Sequence, residues 1–141
     1  MFYKPLLYPL LGQVLLTFTV MFVMYFQRVA EFKAKRIRPQ EASTRAQARE
    51  RLTHSARSAD NFANLFETPV LFYTAILLAL TLLLSDQLLV MLAWAYVVLR
   101  AIHSFIHCTY NRVLHRFYVF LASAVVLVFI WIRLGALIVL N

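Results

Sequence analysis

The chain has 141 residues, of which 62% are hydrophobic and 14% are charged, and a soluble domain of this size cannot bury that much apolar surface. A lone cysteine, Cys108, excludes an internal disulfide. The net charge is +8, and the basic residues lie between long apolar runs rather than on one face of a soluble fold. No nucleic-acid partner is therefore expected.

Four apolar runs are long enough to cross a membrane as helices. A crossing needs about 20 predominantly apolar residues. Gln13 is the strong polar interruption of the first run, and Pro69 is expected to kink the second and free backbone carbonyls there. The sequence therefore predicts an all-α fold, an integral membrane four-helix bundle formed by residues 1–141 as a single domain. The predicted spans are 5–27, 57–84, 88–110 and 114–140.

The distribution of basic residues predicts the orientation of the chain in the membrane. The segment 28–57 carries nine basic and three acidic residues. Placing it on one side with the turn 111–116 and Arg100 collects twelve of the fourteen Lys and Arg residues. Basic loops stay cytoplasmic, so residues 28–56 are predicted to form a cytoplasmic loop. Both termini are then expected on the non-cytoplasmic side.

Three smaller signals refine this layout. Thr44 and Gln47 form a weak capping box, which predicts a helix start inside the cytoplasmic loop. The residues 85–87 are predicted to make a tight turn that leaves spans two and three as an antiparallel hairpin. The long side chain of Arg133 in span four is expected to reach the far membrane interface.

Polar side chains recur at helical spacing on spans two and three. Side chains that are spaced three or four residues apart in the sequence lie on one face of a helix. Ionisable groups at membrane depth cost about 2.5–3.5 kcal/mol each, so these side chains are expected to face protein. The span-two stripe is Arg57, Asp60, Asn64 and Glu67, and the span-three stripe is Arg100, His103 and His107, continuing to Asn111.

Two interpretations of these stripes remain open. In a purely structural one, Glu67 pairs with Arg100, Asp60 pairs with Arg57, and the histidines hydrogen-bond within the bundle. In the other, the surplus of arginines over carboxylates attracts an anionic ligand, such as a small molecule bearing a carboxylate. The basic residues that follow span three could instead meet lipid headgroups.

His103 and His107 also lie four residues apart, as metal ligands on a helix often do. Two histidines without a third and fourth ligand are weak evidence, so no metal site is predicted. Cys108 lies beside the polar stripe rather than on it. It is interpreted as a small packing residue and not as a nucleophile.

Two segments carry a family resemblance, RSADNFANLFETP at 57–69 and RAIHSFIHCTYNRVLHRF at 100–117. They resemble the MAPEG family, membrane-associated proteins in eicosanoid and glutathione metabolism. The resemblance covers the four-span layout, and its most specific part is the N-x-x-E pair of Asn64 and Glu67. It implies a bacterial-type member in an inner membrane. It also implies a homotrimer that binds glutathione between subunits near the cytoplasmic face.

The resemblance further implies the activity and its residues. The chain would be a glutathione S-transferase or glutathione peroxidase, with glutathione as thiol co-substrate and a lipophilic substrate that arrives through membrane lipid. Arg116 would be the catalytic, thiolate-stabilising cation. The glutathione-binding positions would be Arg57, Asn64, Glu67, Arg100, His103, His107 and Arg112.

Four positions depart from the glutathione-using pattern. Asp60 stands where those enzymes have arginine, Phe62 where histidine is common, and His107 where a tyrosine contacts the tripeptide. Phe117 follows Arg116 where the prostaglandin-forming member has serine. These residues remove donors from the expected site. They favour an alternative function, a non-enzymatic membrane protein of the same fold that binds another anionic small molecule or a lipid.

Overall fold

The computed structural model describes residues 4–140, and helices form most of that part of the chain. The predicted domain also includes residues 1–3 and 141, which lie outside the described residues. No strand occurs within the described range. The helices are α1 (Lys4–Lys35), α2 (Arg45–Arg51), α3 (Ala56–Asn64), α4 (Thr68–Thr81), α5 (Gln87–Cys108) and α6 (Val113–Leu140), with a short 3₁₀ helix at Pro39–Ala42.

Four helical segments are long and apolar enough to cross a membrane. They are α1, the combined α3–α4 segment Ala56–Thr81, α5 and α6. Large apolar side chains remain exposed on their outer faces, as on α1 at Leu11, Leu15, Phe18 and Phe22. Such faces suit lipid as the surrounding solvent. The predicted all-α, four-span membrane fold is confirmed.

The first helix continues past the predicted end of span one. Residues 28–35 contain no glycine or proline, so nothing in them interrupts the backbone hydrogen bonds, and α1 ends at Lys35. Arg36 then adopts a left-handed conformation with φ of 52°. The Ile37 N–H donates to the Phe32 carbonyl at 3.2 Å, which closes the helix end. The first turns of the predicted loop are therefore helical.

The capping box predicted at Thr44 is confirmed. The Thr44 hydroxyl accepts from the Gln47 N–H at 3.2 Å, and the Gln47 amide oxygen accepts from the Thr44 N–H at 3.3 Å. These bonds satisfy two donors at the start of α2. The polar α1–α3 connection is therefore ordered by its own short helix.

The second crossing is broken rather than smoothly kinked. α3 ends at Asn64 and α4 begins at Thr68, with Leu65, Phe66 and Glu67 between them. Pro69 lies in the first turn of α4, where its missing N–H has no helical partner to lose. At the break the backbone bonds span three residues, with the Phe66 N–H donating to the Ala63 carbonyl at 3.0 Å and the Glu67 N–H to the Asn64 carbonyl at 3.3 Å.

The hydrophobic core occupies one half of the bundle, which we call the apolar end. α5 packs most extensively against α6, while α1 packs against α3, α4 and α5. The Phe72 ring stacks on the Tyr96 ring, with centroids 4.6 Å apart, which joins α4 to α5. Most of the buried polar side chains lie at the opposite, polar end. The core residues are Leu6, Phe72, Ala75, Ile76, Ala79, Leu89, Ala93, Tyr96, Val97, Leu127, Ile130 and Leu134.

Arg133 of α6 reaches the turn between the second and third crossings and pairs there with Asp86. Its Nε donates to the Asp86 carboxylate at 2.9 Å, and Nη2 donates to the same oxygen. Asp86 also caps α5 by accepting from the Leu89 N–H at 2.9 Å. Burial opposes the charged form of Asp86, but these hydrogen bonds outweigh it and hold the pKa of Asp86 below its ordinary value of 3.8.

Candidate functional site

Arg100 is a fully buried cation at the polar end of the bundle. Its side chain is 0% exposed, and Nη2 donates to the Asn64 carbonyl at 3.2 Å, a carbonyl at the break in the second crossing. Its guanidinium carbon lies 5.8 Å from the centre of the Phe120 ring. Nε and Nη1 are buried without a partner among the described residues. Arg100 therefore presents positive charge and unused donors to the interior.

Two histidines of α5 hold Arg116 at the start of α6. Arg116 Nη1 lies 3.1 Å from His107 Nε2 and donates to the Asn111 side-chain oxygen at 2.9 Å. His103 Nδ1 lies 3.2 Å from the Arg116 carbonyl. His103 and His107 are both buried, and Arg116 is half-buried. We call Arg100, His103, His107 and Arg116 the arginine–histidine cluster.

Asn111 contributes both its side chain and an unusual backbone conformation. Its φ is 49°, in the left-handed region that Asn tolerates better than most residues. Its N–H donates to the Ile106 carbonyl at 2.9 Å, which closes the end of α5. The short turn that follows brings Arg116 back against α5. The conformation of the turn at Asn111 therefore positions the guanidinium of Arg116.

The buried face of α3 is joined to α5 by polar contacts. Ser104 donates to the Asn61 side-chain oxygen at 3.3 Å, and the Asn61 amide donates to the Cys108 sulfur at 3.5 Å. Arg57 donates to the Thr109 carbonyl at 3.3 Å. Cys108 therefore packs between helices, as predicted.

The carboxylates of the second crossing do not form the ion pairs of the purely structural interpretation. Asp60 accepts from Arg49 of α2 at 3.2 Å, and not from Arg57. Glu67 is exposed and forms no ion pair within residues 4–140, although it lies within electrostatic range of Arg100. Arg57 is committed to a backbone carbonyl instead. Among the residues from Lys4 to Leu140, no carboxylate is therefore bonded to the arginine–histidine cluster.

The predicted site residues divide into two groups. Hydrogen bonds join His103 and His107 to Arg116, while Arg100 bonds to the Asn64 carbonyl and shares the Phe120 ring with His103. The side chains of Arg57, Glu67 and Arg112 are exposed and lie outside this hydrogen-bonded group. Within residues 4–140, no three His, Cys, Asp or Glu side chains come close enough to share a metal ion.

Three residues contact the site without having been predicted as part of it: Asn61, Ser104 and Phe120. Ser104 lies one residue outside the regular stripe of α5, so periodicity alone does not select it. Asn61 lies three residues before Asn64, which was a usable signal. The position of Phe120 against Arg100 depends on the approach of α6 and has no sequence signal.

A separate cavity of about 650 Å³ lies between α1, α2 and α3. The cavity faces away from α5. It is lined by Ala59 and Phe62 of α3 and by Phe66, and not by Asn61, the α3 residue that contacts α5. Nε of Arg28 is buried without a partner in the described part of the chain. The charged and aromatic lining includes Arg28, Arg45, Arg49, Asp60, Phe62 and Glu67. Two of the departures from the glutathione-using pattern, Asp60 and Phe62, thus line this cavity.

Comparison with known proteins gives one family match. The family model described as MAPEG family matches residues 6–136, which is nearly the whole chain. Neither the search of curated proteins nor the search of solved structures found a match.

Proposed function

The chain belongs to the MAPEG family, and from that premise we propose that it binds glutathione at the arginine–histidine cluster and acts on a lipophilic electrophile. MAPEG members include glutathione transferases and peroxidases. The proposal gives this membrane protein the same class of activity. Its catalytic cation is Arg116.

The unpartnered donors of Arg100 carry this proposal. A guanidinium buried at 0% exposure with two unpartnered nitrogens is costly unless an acceptor reaches it. Carboxylates are the acceptors that guanidinium groups bind best, and glutathione has two of them. The donor set of the cluster therefore fits an anionic tripeptide better than a neutral ligand.

The side chains divide the work of binding and activation. Arg100, with the exposed Arg57 and Arg112 at the rim, attracts the carboxylates, and Asn64 and Glu67 provide acceptors for the amine and amides. His103 and His107 order the cluster. Arg116 stabilises the thiolate, because a neighbouring cation lowers the pKa of a thiol. No side chain of the protein is required as a nucleophile.

Bound glutathione supplies a thiolate that displaces a leaving group from an electrophilic carbon, and the thiol proton passes to solvent. In the peroxidase reaction, two glutathione molecules are oxidised to glutathione disulfide while a hydroperoxide is reduced to an alcohol and water, which take up the two thiol protons. The exposed apolar faces of the bundle let a lipophilic substrate approach from membrane lipid. Of the two substrates, only glutathione therefore requires a polar binding pocket.

The family also supports an assembly and an orientation. We propose a homotrimer with glutathione between neighbouring subunits, in a bacterial inner membrane. The residues 28–56 lie in the cytoplasm, and both termini lie on the other side. The membrane crossings of the single domain are 5–27, 57–84, 88–110 and 114–140, with α1 extending past the first.

The proposal is tested by glutathione binding and turnover. Reduced glutathione at millimolar concentration should raise the Tm of the detergent-purified protein, since a ligand that binds the folded state stabilises it. Turnover with chlorodinitrobenzene or an alkyl hydroperoxide should be lost in Arg116→Ala, while the oligomeric state is unchanged. The variant Arg38→Ala, in the exposed α1–α2 connection, is the control. No thermal shift with glutathione, or full turnover in Arg116→Ala, contradicts the proposal.

The cavity between α1, α2 and α3 favours a second candidate function, the binding of an anionic lipid or other anionic small molecule without catalysis. Three arginines and two phenylalanines line it, which suits a charged headgroup beside an apolar chain. Native mass spectrometry should then show a retained anionic lipid that Arg28→Leu removes and Arg38→Leu does not. An empty protein that turns over chlorodinitrobenzene contradicts this candidate.

A further inference from the structure

Arg116 is held by side chains that fix its direction without cancelling its charge. Its Nη1 contacts His107 Nε2 at 3.1 Å and Asn111 Oδ1 at 2.9 Å, and both acceptors belong to neutral groups. Within residues 4–140, Arg116 takes part in no ion pair. A carboxylate in either place would hold the guanidinium equally well but would neutralise it.

The hydrogen bonds assign the tautomer of each histidine. Arginine only donates, so His107 Nε2 must accept and cannot carry a proton, which leaves the proton on Nδ1. A backbone carbonyl only accepts, so His103 Nδ1 must donate to the Arg116 carbonyl. The two histidines therefore play opposite roles. His107 fixes the guanidinium of Arg116, and His103 fixes its backbone.

From this geometry we infer that His107 is a positioning residue that holds the charged guanidinium of Arg116 as a neutral acceptor. The inference rests on the proposed role of Arg116 in stabilising the glutathione thiolate. His107 acts through Arg116 and not on the sulfur. Its Nε2 lone pair aims the guanidinium, and the full positive charge remains available to the thiolate.

Three variants of His107 separate charge from position. His107→Gln places a neutral acceptor near the position of Nε2, His107→Leu removes the acceptor, and His107→Glu replaces it with a carboxylate that neutralises Arg116. His115→Leu is the control. The neighbouring His115 is exposed and contacts only Tyr110 among the hydrogen bonds and ring contacts of the described residues.

The readout is the pKa of bound glutathione, followed by ultraviolet thiolate absorbance against pH, with affinity measured by calorimetry. His107→Leu should raise the thiol pKa by about one pH unit, equivalent to a tenfold loss of thiolate in its lower pH range. His107→Glu should raise it further, and His107→Gln and His115→Leu should leave it near the wild-type value. An unchanged thiol pKa in His107→Leu, or equal shifts in His107→Leu and His107→Gln, overturns the inference.

A ligand-free measurement separates this inference from the proposed function. Nitrogen NMR of histidine-labelled protein should show His107 neutral and protonated at Nδ1, and Arg116→Leu should remove that preference. A proton on Nε2 in the wild-type protein overturns the inference whether or not glutathione binds. Absence of glutathione binding with the expected tautomer overturns the proposed function alone.

Discussion

Glu31 accepts two hydrogen bonds from Ser55, one from its backbone N–H and one from its hydroxyl, both at 3.0 Å. The same carboxylate accepts from Lys35 at 2.6 Å and from the His54 N–H at 3.0 Å, and it is 5% exposed. Lys35 in turn donates to the Arg51 carbonyl at 2.8 Å. Hydrogen bonds of Glu31 therefore hold the end of α1 against the start of α3.

Glu31→Gln should destabilise the protein. The amide retains one acceptor oxygen but presents an N–H group where donors converge, so buried N–H groups lose their partner. The free energy of unfolding should fall by about 2–3 kcal/mol, measured by thermal or denaturant unfolding in detergent. The exposed Glu41 pairs with Arg51, so Glu41→Gln is the control, with an expected change within about 0.5 kcal/mol. Equal losses in the two variants would contradict a special role for Glu31.

The Asp86–Arg133 pair should give stability that depends on pH. The pKa of Asp86 is lowered in the folded protein. The pair therefore contributes fully to the free energy of unfolding at pH values above 3.8, the ordinary pKa of Asp, and this contribution is lost as pH falls through the folded pKa. Asp86→Asn keeps the capping oxygen for Leu89 but removes the charge. The variant should have a lower Tm than the wild-type protein at pH 7. This difference in Tm should become smaller when the pH is lowered below the ordinary pKa of Asp86, 3.8. A difference that stays constant down to acid denaturation would show that charge is not its cause.

The left-handed backbone of Asn111 should decide which substitutions the turn tolerates. Asn111→Gly and Asn111→Ala both remove the acceptor for Arg116, but only alanine meets a steric penalty at φ of 49°. Asn111→Ala should therefore be less stable than Asn111→Gly by about 1–2 kcal/mol in unfolding measurements. Equal stability of the two variants would show that the turn changes conformation when the side chain is lost.

The fold and the buried stripe of α5 could be predicted because each depends on local periodicity. Four apolar runs specify helices that must satisfy their own backbone in lipid, and a spacing of three and four places Arg100, His103 and His107 on one face. The capping box at Thr44 is local for the same reason. These features require no knowledge of how the helices meet.

The partners of the charged residues could not be predicted, because they depend on helix packing. Glu31 meets Ser55 across a separation of 24 residues, and Asp60 of α3 meets Arg49 of α2 rather than Arg57 of its own helix. The break at the end of α3 also shifts Glu67 out of the stripe that its spacing predicted. Sequence spacing identifies a polar face, but only the tertiary arrangement selects which charges meet.

Replacement of Arg100 should separate stability from function. Arg100→Met loses one hydrogen bond to Asn64, yet that carbonyl also accepts from the Glu67 N–H at 3.3 Å and is not orphaned. The substitution also removes a buried charge with two unpartnered donor atoms and so relieves their desolvation cost. The ligand-free variant should therefore have a Tm at or above the wild-type value. It should show no further rise with glutathione, because the carboxylate partner is lost.

Gln13 provides the matched control for Arg100→Met. Its amide is 0% exposed in α1, and both polar atoms lack a partner within residues 4–140, so Gln13→Leu should also raise the Tm. The side chain of Gln13 forms no hydrogen bond with the arginine–histidine cluster within residues 4–140, so the variant should keep the glutathione-dependent rise. If Arg100→Met lowers the ligand-free Tm while Gln13→Leu raises it, Arg100 has an unrecognised partner in the free protein. An anionic ligand would then not be needed to explain its burial.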